Sequence, residues 1–136
     1  MAVVLVMSSG AALVLSWVMD GVNEGLAIEL RPPEELDVDL PGDAIDVSDH
    51  VDWRVFSGES IENITPVWHV PNEGCPEMPW SYRFEFSNES RVVVALGEAE
   101  AEGSGFTYSP DSLVVFFDKS LALSYKIPAS STSSWG

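Results

Sequence analysis

Hydrophobic and polar positions divide the chain into two parts with different patterns. From Met1 to Met19 no side chain is charged, and only Ser8, Ser9 and Ser16 are polar. Nineteen such residues coiled as a helix would span about 28 Å, close to the hydrocarbon thickness of a bilayer. A membrane-length helix is the favoured expectation, and the alternative is a buried hairpin of Val3–Met7 and Ala12–Val18 hinged at Ser8, Ser9 and Gly10. The first basic residue is Arg31, so a cleaved leader with a basic start is not expected, and the positive-inside rule gives no orientation.

Beyond Gly21 the pattern is broken, and Arg31-Pro32-Pro33 reads as a linker because proline cannot continue a helix. Leu36, Val38 and Leu40 alternate with Asp37 and Asp39, and Tyr82, Phe84 and Phe86 alternate with Arg83 and Glu85. A period of two marks strands with one buried face. Further strands are expected at Val51–Phe56, Pro66–Val70, Arg91–Leu96, Gly105–Tyr108, Leu113–Phe117 and Leu121–Ile127. About eight short strands at this spacing imply a mainly β fold, an antiparallel β-sandwich or jelly roll, preceded by the apolar segment. Pro71 to Trp80 is too rich in proline for a strand and reads as a long connection over one end. The expected organisation is an anchor or assembly segment with its linker over 1–30, an acidic β domain over 31–128, and a serine-rich tail over 129–136 whose composition favours mobility.

Composition narrows the function. The chain has 136 residues, with 22 Asp and Glu against 6 Lys and Arg, a formal net charge of −16. Nucleic-acid binding is not expected, because it depends on cationic side chains displacing counterions. The charges repel one another unless salt screens them, and at molar salt the Debye length falls to about 3 Å. The acids are spread from Asp20 to Asp118, and lysine occurs only at Lys119 and Lys126. This composition resembles that of proteins from salt-loving archaea and their viruses.

Specific chemistry is sparse. Asp37, Asp39, Asp43, Asp46, Asp49 and Asp52 form the densest acidic run and are weak candidates for Ca²⁺, but they lack the spacing of a calcium loop and read first as a solvated edge. No other cofactor is expected. His50 and His69 lack zinc-ligand spacing. Cys75 stands between Glu73 and Glu77, surroundings that disfavour a reactive thiolate. No nucleophile elbow or phosphate loop occurs, and acid pairs for glycoside hydrolysis are too numerous to signal anything. Trp53, Trp68, Trp80, Tyr82 and Phe84 are core by default, with a sugar-stacking platform as the functional alternative. Asn63 and Asn88 begin glycosylation sequons, the first followed by Pro66.

Met1–Gly25 followed by an acidic β domain resembles, in layout, small membrane-linked capsid components of haloarchaeal viruses, and also archaeal pilin-like subunits. It departs from the pilin pattern in having no basic leader and in the interruption at Ser8-Ser9-Gly10. The resemblance implies a non-enzymatic structural subunit in a virion, or on the outer face of a cell envelope, in high salt. Its partners would be other copies of itself, other structural subunits and a membrane reached through residues 1–19. The expected contact residues are Val3, Leu5, Leu13, Leu15, Trp17, Trp68, Trp80 and Trp135. A calcium- or glycan-binding extracellular module is the competing class, with a hydrolase behind it.

Overall fold

The computed structural model describes residues 2–34, 45–100, 105–109, 111–125, 130 and 133–136. The fold is mainly β and antiparallel. A first sheet has the order β1-β2-β3, formed by β1 (Ala2–Val6), β2 (Ala12–Asp20) and β3 (Asn23–Arg31). A second has the order β4-β5-β6-β9, formed by β4 (Ile61–His69), β5 (Met78–Phe86), β6 (Arg91–Leu96) and β9 (Leu113–Phe116). The short strands β7 (Glu98–Ala99) and β8 (Phe106–Thr107) pair with each other. Two short helices are described, α1 (Val51–Arg54) and α2 (Lys119–Ser124).

The N-terminal segment is strand, which corrects the expectation of a membrane-length helix. Among the described residues no helix is long and apolar enough to cross a membrane. Valine-rich sequence favours the extended backbone, and Ser8-Ser9-Gly10 supplies the turn. There Gly10 takes φ +88° and donates its N–H to the Met7 carbonyl at 2.9 Å, while the Ser9 hydroxyl accepts from Ala11 N–H. Ala2 through Val6 then pair with Ser16 through Ala12. Gly21 at φ +67° opens a second, two-residue turn, after which β3 pairs with β2 along its whole length. No strand was expected at Asn23–Arg31, because its apolar residues do not alternate cleanly with polar ones.

Both sheets contribute to one core. Leu15 and Leu26 of the first sheet cluster with Val67, Trp80, Phe84, Val92, Val94, Leu96 and Phe116 of the second. Leu15 and Leu26, with Val3, Leu5, Leu13 and Ile28 packed beside them, thus bring the segment expected as an anchor into this core. Strand β6 is buried nearly throughout, with Val92 to Leu96 fully inaccessible.

Val51–Arg54 and Leu121–Ser124, parts of two expected strands, are helical. In Val51–Phe56 the residues that turn inward are Trp53 and Phe56, three apart, which pack edge-on or tilted against Phe117 and Phe86 at centroid distances of 4.9 and 4.6 Å. Val51 and Val55 face solvent. Asp118 caps α2 by accepting from Ser120 and Leu121 N–H groups, which starts a helix where a strand from Leu121 was expected. Ala122 and Tyr125 face the core, while Leu121 and Leu123 face solvent. The expected connection over Pro71–Trp80 ends earlier, because Met78, Pro79 and Trp80 belong to β5. The strand expected at Leu36–Leu40 lies outside the described residues.

The sheets come close together at Gly25. A Cβ there would lie 2.8 Å from Met78 Cε, 3.1 Å from Met78 Cβ and 3.2 Å from the Pro79 carbonyl oxygen, so Met78 must swing aside and β5 give by a few tenths of an ångström. Gly25→Val is expected to destabilise the fold by about 1–3 kcal/mol, as overpacking commonly does, measured as a lowered urea midpoint at unchanged slope.

Candidate functional site

One polar cluster between the sheets is centred on Glu24, which bonds to His69 and Tyr108. His69, 2% exposed at the end of β4, places Nε2 3.0 Å from the Glu24 main-chain carbonyl oxygen. A carbonyl only accepts, so Nε2 carries the proton and Nδ1 is bare. Nδ1 is buried with no hydrogen-bond partner. The Tyr108 hydroxyl donates to Glu24 Oε1 at 2.9 Å, and its ring meets His69 edge-on at 6.0 Å. Asn72 completes this end by donating to the Val22 carbonyl and to Asn23 Oδ1 at 3.0 and 2.9 Å. Burial holds the His69 imidazole below its ordinary pKa, against the opposing pull of the Glu24 carbonyl and carboxylate. Burial, the hydrogen bond to Glu24 and that residue's charge push the Tyr108 phenol far above its ordinary range. The cluster joins the two sheets. His69 is closed to solvent, and Cys75 lies in the loop beyond it, its Sγ accepting from Asn72 N–H and donating to the Pro76 carbonyl.

Of the acidic run, Asp46, Asp49 and Asp52 lie among the described residues. Asp46 accepts from Ser48, whose hydrogen bonds hold its carboxyl below the ordinary value. Asp52 stands beside the exposed His50, whose Nδ1 caps α1 by accepting from Asp52 N–H. Among the described residues no three His, Cys, Asp or Glu side chains are grouped to hold a metal. Asp37, Asp39 and Asp43 lie outside the described residues.

The tryptophans separate into interior and surface. Trp80 is fully buried, its Nε1 donating to Ser130 Oγ at 3.0 Å, while Ser130 Oγ donates to the Trp68 carbonyl at 2.8 Å. Leu15 is equally buried, so neither Leu15 nor Trp80 offers the contact surface expected of it. Val3, Leu5 and Leu13 are partly buried against the core, and Trp17 and Trp68 remain 38% and 45% exposed. No sugar platform forms from the expected aromatics, because Phe84 is buried with Trp80, Trp53 and Tyr82 pack against the core, and Trp68 alone among these five is exposed. Trp135 lies under the Arg91 guanidinium at 5.6 Å, and its carbonyl accepts from Arg91 at 3.2 Å. With Ser134 fully buried, the end of the serine-rich tail is fastened to the body. Beside Trp135, a depression of about 400 Å³ is lined by Val51, Val55, Phe56, Glu89 and Arg91.

The two sequons differ. Asn63 is exposed on β4. Asn88 is held within the β5–β6 turn, its amide donating to the Val55 carbonyl and its Oδ1 accepting from Ser90 N–H.

What remains distinctive at the surface is an edge. β1 forms one side of its sheet, and the sequence from Ala2 to Val6 contains no charge, proline or glycine. This feature was legible in the valine-rich sequence only once the segment was known to be extended. Compared with protein-family models, curated proteins and solved structures, the chain matches none.

Two outcomes are expected. The difference in melting temperature between wild type and His69→Phe changes as pH falls below 6.5, the ordinary imidazole value. Below that value the unfolded chain takes up a proton that folded His69 refuses, so stability present at neutral pH is lost in wild type and not in the variant. Trp80→Ala is expected to cost about 3–5 kcal/mol and Trp68→Ala much less, read from denaturant unfolding.

Proposed function

We propose that this protein is a non-catalytic structural subunit that assembles with copies of itself and with other subunits in a particle, most simply a virion, bathed in concentrated salt. The observation that carries the proposal is the contrast between a body of net charge −16 and a first hairpin strand with no charged or polar side chain. Acidic side chains on a folded body hold water and cations and keep unassembled copies apart, and concentrated electrolyte removes the repulsion at short range. An uncharged surface is then where copies meet. Within this reading the two main sheets are the layers of an antiparallel β-sandwich, the compact shell-building unit such a role calls for.

A membrane-crossing helix has no part in the proposal, because residues 2–6 and 12–20 are strands. The same finding removes the ground for a pilin-like filament, whose core is built from N-terminal helices. Exposed Trp17 and Trp68 remain the aromatic candidates for contact with other subunits.

The test is assembly against salt. In sedimentation velocity, the purified chain is expected to form larger species as NaCl rises from 0.1 M to several molar, and electron microscopy of native material is expected to place it in particles. A chain found free in native material, hydrolysing a substrate, overturns the proposal.

A further inference from the structure

We propose that two copies join through β1, strand to strand and antiparallel about a two-fold axis at Val4, to make one continuous six-stranded sheet. The inference rests on the assembly reading above and names the surface that reading requires.

A sheet edge offers unpaired N–H and C=O groups to any strand that approaches, and proteins that stay monomeric guard such edges with charge, proline, bulges, short length or a covering element. Three of the four outer strands of the two main sheets are guarded. β4 has Glu62 and Pro66 and two breaks in register, at Ile61/Asn63 and Val67/Trp68. β9 is four residues long and is flanked by α2 and β7. β3 carries Glu24 and Glu29, and its first residues are held against the other sheet through His69 and Asn72. β1 has none of these devices: five apolar residues in unbroken register with β2, unpaired on the outer side among the described residues.

The occupant follows from charge and from self-complementarity. Two copies at −16 repel each other over most approaches, but the residues of β1 and of β2 as far as Met19 carry no charge. A two-fold axis at Val4 sets Ala2 opposite Val6 of the second copy, Val3 opposite Leu5, and Val4 opposite Val4, so each facing pair is apolar and the smallest residue meets the exposed Val6. Main-chain hydrogen bonds supply the attraction and molar salt removes the remaining long-range repulsion, so pairing strengthens with ionic strength.

Cross-linking tests the register in the full chain. In a Cys75→Ser background, Val4→Cys is expected to give a disulfide-linked dimer under mild oxidation in molar NaCl, since facing residues of an antiparallel pair lie within disulfide reach. Val6→Cys is expected not to cross-link, because the two copies of residue 6 would stand four residues apart, about 13 Å. Val4→Glu places like charges face to face and is expected to leave a monomer in sedimentation at molar salt, with Val4→Thr still dimeric and circular dichroism reporting a folded chain for both. If the wild type associates in salt but Val4→Glu associates equally well, or Val4→Cys gives no dimer, the β1 contact is wrong and the assembly reading stands. If the wild type stays monomeric at every salt concentration, the β1 contact falls, and whether the chain occurs in native particles then decides the assembly reading separately.

Discussion

Glu24 is bonded from both of its ends, and the relation between the two main sheets depends on it. Its main-chain carbonyl accepts a hydrogen bond from His69, the last residue of β4, and its carboxylate accepts one from the Tyr108 hydroxyl. One residue away, Gly25 lets β3 approach β5 to a distance at which a side chain is tightly crowded. Hydrophobic burial alone has no direction and would allow the sheets to slide. Partly buried hydrogen bonds add direction, because a polar group taken from water and left unmatched costs its desolvation. Leu15 and Leu26 therefore enter the same cluster as Trp80 and Phe84.

The rarity of cations gives each one weight. Arg83 and Arg91 both lie on the second sheet beside Glu85, and both donate to carbonyls of the last residues, at Ser134 and Trp135. Two of the six basic side chains thus hold the end of the chain, in a surface otherwise dominated by carboxylates. The arrangement leaves most of the surface repulsive to another copy and concentrates the uncharged exception in the first hairpin. The proposals about assembly rest on that distribution and on the contrast between guarded and unguarded edges.

Strands with strict alternation or continuous valine were legible in the sequence: Arg91–Leu96 coincides with β6, and Tyr82–Phe86 lies within β5. Those patterns are local, so periodicity records which face is buried. The helices at Val51 and Lys119 were misread because four to six residues fit either period, and the deciding facts are remote: Phe86 and Phe117 receive Phe56 and Trp53, and Tyr125 reaches across to the Leu96 carbonyl. The Glu24 cluster was invisible for a similar reason, since its members at positions 24, 69 and 108 have no spacing that relates them.

By itself the sequence determined the mainly β character, the large negative charge and the sparseness of catalytic motifs, because composition and a period of two act residue by residue. Only the tertiary structure decided that the apolar beginning is a hairpin and not a helix, that Trp80 is interior while Trp68 is at the surface, and that β1 lies at an edge. Each of these depends on which distant strand is available to pair or pack. A valine-rich segment can satisfy its backbone as a helix by itself or as strands with partners, and the pairing of β1 with β2 and of β2 with β3 makes the choice.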